Sequence, residues 1–468
     1  MEGFWGFDTW GIVSIFAILL LALLLANGLK NAVPFLRNSL MPASVLGGLI
    51  LLSISFVYTV ITGDVLFDTN LFGGNGMAVL EIITYHALAL GFVAQSLKLS
   101  KKKLSKKRAV EIFNTGTTTV ATYLLQAFFG LGITIIAGFF IKDFFIASGI
   151  ILPFGYGQGT GQAMNYGSMF QESYGFVGGK NFGLTIAALG FLSASIGGVI
   201  HLNIQKKRGT LKRSHLSTNK AQEERYCDPE EIPLNGNMDK LTVQLALVTL
   251  AYAITFAIMY GLGQLLPGMR STIYGFNFLF GVLSATLIKT VLNVLKKKKV
   301  IKYQYVNNFL LTRVSNLCFD VMIVAGIAAI NLLLIKDYWH VLLVLGIVGL
   351  VITYVYNRIV AKKLFPDYHE EQFLAMYGML TGTASTGMIL LRELDEDFSS
   401  PVADNLVYQN FPAIVFGFPI MLIVPFTPEN PYLILGVVFV AFIAMNVLLF
   451  RSKIFKKKTK VQEIKTEE

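Results

Sequence analysis

The chain has 468 residues, of which 54% are hydrophobic and only 14% are charged, and its mean hydropathy is +0.61. Soluble domains carry about 25% charged residues, so this composition excludes a water-exposed globular protein. The net charge of +11 does not indicate nucleic-acid binding, because the Lys and Arg residues stand in short runs at the ends of apolar blocks. We expect a polytopic protein of the lipid bilayer with no nucleic-acid partner, and two cysteines are too few for a disulfide framework or a thiolate metal site.

The apolar blocks are long enough to cross a membrane. A hydrocarbon core of roughly 30 Å requires about 20 helical residues, and lipid offers no partner for free backbone groups. The first block is predicted to remain as a helix, since acidic residues and no basic region precede it, unlike a signal peptide. The predicted spans are, in chain order, 9–28, 40–62, 77–97, 111–140, 181–203, 241–263, 272–295, 306–335, 339–360, 402–425 and 431–450.

Basic residues predict the orientation of these spans. The connections on one side hold only Lys142, Arg270 and Lys336. Most other Lys and Arg residues lie in the stretches 28–39, 98–108, 205–240, 296–302, 358–363 and 451–460. The positive-inside rule therefore places the N-terminus outside and the C-terminus in the cytoplasm. This alternation holds only if two further apolar pieces do not cross.

Those two pieces are predicted to be re-entrant hairpins. Residues 144–180 run from an apolar stretch into a glycine cluster and return through polar residues, and 370–398 reach a second cluster rich in Gly and Thr. Each is too short and too polar to span twice. The first should enter from outside and the second from the cytoplasm, with non-helical backbone surrounded by protein or a wet cavity.

The two hairpins share a motif. Gly157–Ala163 and Gly378–Ala384, 221 residues later, both read G-x-x-T-G-x-A. Each hairpin follows four predicted spans of its half and precedes one more, and the halves begin on opposite sides of the membrane. Such inverted halves with broken elements are typical of secondary transporters. We therefore predict an all-α fold of two inverted repeats of five transmembrane helices and one hairpin each, 1–203 and 241–425, with a cytoplasmic linker 204–240 and an extra helix and basic tail 426–468.

The hairpin tips are the predicted binding site. A half-helix that begins inside the bilayer presents unpaired N–H groups and a positive dipole end, which suit an anion. Glycines allow close approach, while Thr hydroxyls and carbonyls can ligate Na⁺. The alternative is that these small residues only allow close helix packing. The candidates are Gly157, Gln158, Gly159, Thr160, Gly161 and Gln162 in the first hairpin, and Thr381, Gly382, Thr383, Ala384, Ser385 and Thr386 in the second.

Intramembrane ionisable residues are costly and usually face the protein interior. Asp320 shares a helical face with Asn316 and Arg313. One interpretation makes Asp320 and Asn316 part of an ion-coupling site, together with Thr160 and Thr383; the other makes Asp320 the counter-ion of Arg313. No arrangement of nucleophile and base in these helices indicates an enzyme, and nothing resembles the selectivity filter of a channel.

The motifs resemble those of the bacterial sodium/glutamate symporter family. The family's first hairpin reads G-H-G-T-G-A-A, which Gly157–Ala163 matches except that Gln158 replaces the histidine and Gln162 replaces the first alanine. Its second reads G-x-x-T-P-T-A-x-A-x-M, which Gly378–Met388 matches except that Gly382 replaces the proline and Thr386 replaces the second alanine. Met41–Gly48 resembles the family's P-x4-G-G opening of helix two, and Leu125–Gly130 resembles its L-Q-x3-G in helix four. The resemblance covers most of residues 40–420.

The resemblance implies a sodium-coupled importer of glutamate or a similar anionic amino acid, a homodimer in a bacterial cytoplasmic membrane. A mobile domain that bears the hairpins would move against a scaffold, with Na⁺ at the hairpin tips as coupling ion and no other cofactor. The departures at Gln158 and Gly382, and Asp320 in a helix that the family usually fills with apolar residues, leave an alternative open. The cargo would then be another amino acid or a carboxylate, or the coupling would use H⁺ through Asp320.

Overall fold

The computed structural model describes residues 5–99, 105–208, 238–395 and 400–454, and these ranges contain helices and no β-strand. Most of the predicted linker 204–240, the end of the second hairpin region at 396–398 and the basic tail from 455 lie outside the described residues. The helices are α1 Phe7–Ala32, α2 Pro34–Asn38, α3 Ala43–Thr62, α4 Gly76–Leu97, α5 Lys106–Gly138, α6 Leu152–Gln158, α7 Thr160–Tyr174, α8 Gly179–Lys207, α9 Lys240–Leu265, α10 Arg270–Gly275, α11 Asn277–Lys297, α12 Asn308–Ala328, α13 Trp339–Leu364, α14 His369–Thr381, α15 Ala384–Arg392, α16 Val402–Tyr408, α17 Asn410–Ile423, α18 Pro431–Leu449 and α19 Arg451–Ile454.

Within the described ranges, ten helices are long and apolar enough to cross a membrane, which confirms the polytopic all-α class. They correspond to ten of the eleven predicted spans and are α1, α3, α4, α5, α8, α9, α11, α12, α13 and α18. The remaining predicted span, 402–425, is divided into α16 and α17. Pro412 explains the division, because a proline ring clashes with the carbonyl four residues earlier and supplies no N–H to it.

The predicted helix 306–335 ends earlier than expected. α12 stops at Ala328, and a new turn begins at Asn331, whose side chain accepts a hydrogen bond from Leu333 N at 3.1 Å. Asn181 of α8 accepts the Asn331 N–H at 2.6 Å. Polar caps from two parts of the chain therefore end the helix where hydropathy alone predicts its continuation.

Six of the long helices form one packing group. α4 and α12 pack against each other; α3 lies on α12, and α11 lies on α4. α1 packs on α3 in the same way that α9 packs on α11. Each helix of the N-terminal triplet thus has a counterpart with matching neighbours in the C-terminal triplet.

A second group contains both hairpin regions. α5 packs against α13, α17 and α18, while α8 packs against the first hairpin and against α13 and α14. The outer arm α7 of the first hairpin lies at the boundary, where it contacts α4, α10 and α12 of the other side. The hairpins are therefore held by α5, α8 and α13, and one of their arms borders the first group.

Both hairpin regions are pairs of short helices joined by a break. α6 and α7 are separated by Gly159, and α14 and α15 by Gly382 and Thr383. At seven and nine residues, α6 and α15 are far shorter than the about 20 residues that a span needs. The arms of the second hairpin touch at two glycines, since a Cβ added to Gly378 would lie 2.9 Å from Gly387 Cα.

Candidate functional site

The two helix breaks meet inside the protein. A Cβ built on Gly159 would lie 3.3 Å from Thr383 Cγ2, so the first tip touches the second. Phe191 of α8 is fully buried and adjoins both tips, because added Cβ atoms on Gly159 and Gly382 would lie 3.7 and 3.1 Å from its ring. Segments far apart in the chain therefore form one site.

Each break exposes the beginning of a half-helix. Gly159 has φ +82° and ψ −167°, a conformation open almost only to glycine, and α7 starts directly after it. Neither Gly159 nor Thr383 caps its helix with a side chain. The first N–H groups of α7 and α15 therefore lack intrahelical partners, and the positive ends of two helix dipoles face a common region. This arrangement suits a carboxylate.

α6 and α14, the inner arms of the two hairpins, are bound by α5 close to the breaks. Tyr123 Oη donates to Gly157 O at 3.1 Å, and Gln126 Nε2 donates to Leu380 O at 2.9 Å. Tyr123 and Gln126 lie one turn apart on the same helix. One helix thus satisfies a carbonyl near the end of each inner arm. Sequence reasoning did not select Tyr123, and it noted Gln126 only as part of a motif resemblance.

The threonines selected from the sequence have different environments. Thr160 is fully buried, and its Oγ1 donates to Met322 O of α12 at 3.2 Å. Thr381 Oγ1 donates within its own helix to Tyr377 O at 2.6 Å. Thr383 and Thr386 remain at the tip, with their hydroxyl oxygens 3.4 Å apart. Ala384 is exposed, and the side chain of Ser385 is outside the described part of the structure.

The repeated motif has a different position relative to the helix break in each hairpin. Tyr156 and Tyr377 precede the motif in each hairpin, and both reach Ser193 of α8: Tyr156 Oη lies 2.9 Å from its Oγ, and Tyr377 Oη donates to its carbonyl at 2.6 Å. The inner arms therefore occupy matching environments. Thr160, however, begins an outer arm, whereas the aligned Thr381 ends an inner arm.

Gln162 stands out among the candidate residues. It lies in the first turn of α7 and is 1% exposed, and its amide lies near the Tyr166 side chain without meeting the geometry of a hydrogen bond. An unsatisfied buried polar group costs about 1–3 kcal/mol. A ligand that donates to or accepts from this amide removes that cost.

The two remaining candidates from the sequence, Asp320 and Asn316, lie on α12 away from the hairpin tips. Asp320 is half-buried and lies beside Ser44 of α3, while Met322, two residues on, points to the first tip. Asn316 is exposed on α12. The structure thus does not bring Asn316 and Asp320 together with the tips.

Comparison with known proteins gives one match. A family model described as Sodium/glutamate symporter matches residues 9–398, a range that takes in both hairpins. No curated protein and no solved structure matches the chain.

Proposed function

The chain belongs to the sodium/glutamate symporter family, and from this premise we propose that it imports glutamate or a similar anionic amino acid together with Na⁺. It is a transporter and not an enzyme, and it is a multi-pass membrane protein.

The observation that carries the proposal is the contact between Gly159 and Thr383 at the ends of two uncapped half-helices. Glutamate carries two carboxylates, and each helix start offers free N–H groups and about half a positive charge. One carboxylate at each helix start uses both. The unpartnered amide of Gln162 adds a donor and an acceptor for the remaining polar groups of the substrate.

Movement of the site follows an elevator-type mechanism in this proposal. The hairpin-bearing group, which is the second packing group with α5, α8, α13 and both hairpins, moves against the group formed by α1, α3, α4, α9, α11 and α12. The hairpin tips carry the substrate across the membrane. Small residues at the boundary support sliding: Gly161 lies against Leu88 and Met322, and Gly326 lies against Thr160. Two polar links, Thr160 to Met322 O and Lys180 Nζ to Glu81 Oε2 at 2.7 Å, would break or exchange during the movement.

We further propose that 1–203 and 241–425 are inverted repeats joined by a cytoplasmic linker 204–240, with the extra helix after them. The matching neighbours of α1, α3, α4 and of α9, α11, α12 support this arrangement. The distribution of basic residues supports an external N-terminus and a cytoplasmic C-terminus. A homodimer in the bacterial cytoplasmic membrane follows from the family resemblance.

Uptake into vesicles tests the proposed function. Purified protein is reconstituted into liposomes, and radiolabelled glutamate is supplied with an inward Na⁺ gradient, with K⁺ replacing Na⁺ in the control. We expect glutamate to accumulate above its external concentration only with the Na⁺ gradient. Accumulation driven by a pH gradient without Na⁺ would instead favour H⁺ coupling, and Na⁺-driven accumulation of a different carboxylate would change the cargo.

A further inference from the structure

A row of buried polar side chains follows one face of α5 through the hairpin-bearing group. Near the second tip this row meets α13, where four side chains come together, each at most 1% exposed: Thr122, Gln126, Thr353 and Asn357. None of the four carries a charge. Their hydrogen bonds determine which atoms remain free for a ligand.

The amide of Gln126 has one possible orientation. Its Nε2 donates to Thr353 Oγ1 at 2.8 Å and to Leu380 O at 2.9 Å. A rotation of the amide by half a turn would place Oε1 against the Leu380 carbonyl oxygen, and two acceptors repel each other. The nitrogen therefore stays where it is, and Gln126 Oε1 is left without a hydrogen-bond partner.

The same argument applies to Asn357. Its Nδ2 donates to Thr353 O at 2.9 Å and to Thr122 Oγ1 at 3.3 Å. Thr122 uses its own hydroxyl hydrogen for Thr118 O at 2.8 Å, so it can only accept from Asn357. Asn357 Oδ1 is therefore also fixed and also unpartnered.

Both amides are thus anchored on one residue, Thr353, through their nitrogens: Gln126 Nε2 at its hydroxyl and Asn357 Nδ2 at its carbonyl. Each amide leaves a buried oxygen without a donor. Buried acceptors in native proteins are almost always satisfied, and each unsatisfied one costs about 1–3 kcal/mol. The missing partner must approach as a positive centre. Neutral hydroxyl, amide and carbonyl oxygens are the ligands that bind Na⁺ in transporters.

We propose that Gln126 Oε1 and Asn357 Oδ1, with the hydroxyl oxygens of Thr122 and Thr353, form a Na⁺ site between α5 and α13, separate from the hairpin tips. The inference rests on the proposed function, since it assigns the coupling ion of that function a place. It leaves the tips to the carboxylates of the substrate.

The position of Gln126 gives the site a physical connection to the substrate. Its oxygen binds the ion, and its nitrogen holds Leu380 O, two residues before the break at Gly382. Na⁺ bound to this oxygen would therefore strengthen the hold of the amide on the end of α14, so ion binding should stabilise the second tip. Because coupling between two ligands is reciprocal, the substrate must raise the affinity for Na⁺ by the same factor.

Thermal unfolding of the purified full-length protein tests the site without transport. Unfolding midpoints are measured without substrate over a range of NaCl concentrations, with choline chloride keeping the ionic strength constant. An ion that binds only the folded protein raises the midpoint as its concentration exceeds its dissociation constant. We expect Asn357→Leu and Gln126→Leu to raise the half-maximal Na⁺ concentration at least tenfold over that of the wild type.

Asn446→Leu is the matched control. Asn446 is also a membrane-embedded amide, but both of its ends are satisfied: Nδ2 donates to Phe442 O at 2.8 Å, and Oδ1 accepts from Tyr356 Oη at 2.9 Å. This variant should lose stability while its Na⁺ dependence stays that of the wild type. The control therefore distinguishes the effect of removing any amide in the membrane from the effect of removing a Na⁺ ligand.

Asn357→Asp provides a readout that a purely structural role does not predict. A protonated carboxyl donates to Thr353 O in place of the amide, whereas the ionised form offers its oxygens to Na⁺. Na⁺ and H⁺ should therefore compete, and the half-maximal Na⁺ concentration of this variant should rise at least tenfold as the pH falls from 8 to 5. The wild type should show no such dependence.

Two results would overturn the site. If both leucine variants titrate with Na⁺ like the wild type, and Asn357→Asp gives no competition with H⁺, the two oxygens bind water. If the wild-type midpoint does not respond to Na⁺, the site is also excluded. Vesicle uptake then tells the two proposals apart: uptake by the wild type that still needs Na⁺ leaves the proposed function intact, and uptake independent of Na⁺ removes both.

Discussion

Thr383 of the second hairpin lies directly against the backbone of Gly159 in the first, so close that a Cβ added to Gly159 would be 3.3 Å from Thr383 Cγ2. This contact brings two helix starts, with their free N–H groups, to one place in the membrane interior. A side chain at position 159 has neither a relaxed backbone conformation nor space towards the other tip.

Gly159→Ala should therefore reduce Na⁺-driven glutamate uptake at least tenfold. The cost of this conformation for an L-residue is about 1–3 kcal/mol, and the added methyl group also separates the tips. Gly175→Ala is the control, because Gly175 also has a positive φ, +69°, but an added Cβ there meets no atom within 4 Å. Initial uptake rates, normalised to protein in the vesicles, should fall only for the first variant. Equal losses in both would mean that backbone strain alone is responsible and that the tip contact has no role.

Gln162→Leu should stabilise the ligand-free protein and impair substrate binding. The leucine removes a buried amide whose two polar atoms make no hydrogen bond, a gain of about 1–3 kcal/mol, but it also removes a group for the substrate. Unfolding midpoints with and without glutamate measure both effects. The ligand-free midpoint should rise, and the increase caused by glutamate should disappear.

Asn165→Leu, one turn further along α7, provides the comparison for Gln162. Asn165 Nδ2 donates to Gly275 O at 3.1 Å, so this variant should lower the ligand-free midpoint and keep the response to glutamate. A Gln162→Leu protein that is less stable than the wild type and still responds to glutamate would exclude Gln162 from the site.

Thr383→Val should raise the half-saturating glutamate concentration about tenfold, since it removes a hydroxyl at the tip and keeps the size of the side chain. Thr381→Val removes a hydroxyl that is already bound to Tyr377 O in its own helix, so its effect on half-saturation should be less than threefold. Concentration dependence of vesicle uptake gives both values. If the two variants shift half-saturation equally, the hydroxyl of Thr383 does not contact the substrate.

A cluster at the start of α14 should make stability depend on pH. Glu370 accepts hydrogen bonds from Arg358, at 2.9 Å for the Nη2–Oε1 pair, and lies 2.9 Å from His201 Nε2 and 3.2 Å from His369 Nε2. Tyr354 Oη contacts the other nitrogen of His201. Burial alone would raise the pKa of the Glu370 carboxyl, but the hydrogen bonds from His201 and Arg358 outweigh it and hold the pKa well below its ordinary value.

A carboxyl with a lowered pKa stabilises the folded protein fully above its ordinary pKa of about 4.3, and this contribution is lost as the pH falls towards the pKa of the folded state. Glu370→Gln should thus cost about 1–3 kcal/mol at pH 7, and the difference from the wild type should shrink below about pH 4.3. Unfolding midpoints from pH 8 to 2 check this. Glu371→Gln is the control; if it lowers the midpoint as much as Glu370→Gln does, net charge and not the Arg358 contact is responsible.

Much of the architecture was determined by the sequence. Length and hydropathy of the apolar blocks predicted eleven spans, and ten of them are single long apolar helices in the described residues, because a helix is the only form in which a single segment satisfies its backbone in lipid. Glycine clusters that interrupt apolar stretches likewise predicted the breaks near Gly159 and Gly382. A helix break depends on a few neighbouring residues, so the local sequence is enough to predict it.

Only the tertiary structure decided which of the selected residues meet. The aligned Thr160 and Thr381 lie on different arms, and Asp320 lies beside Ser44 on α3. Gln126 of α5 and Asn357 of α13 both donate to Thr353, and each leaves a buried oxygen unpartnered. The direction of a side chain depends on the rotation of its helix and on neighbours hundreds of residues away, and no local pattern records either. Burial in lipid is a property of one segment, whereas a binding site is a property of several segments packed together.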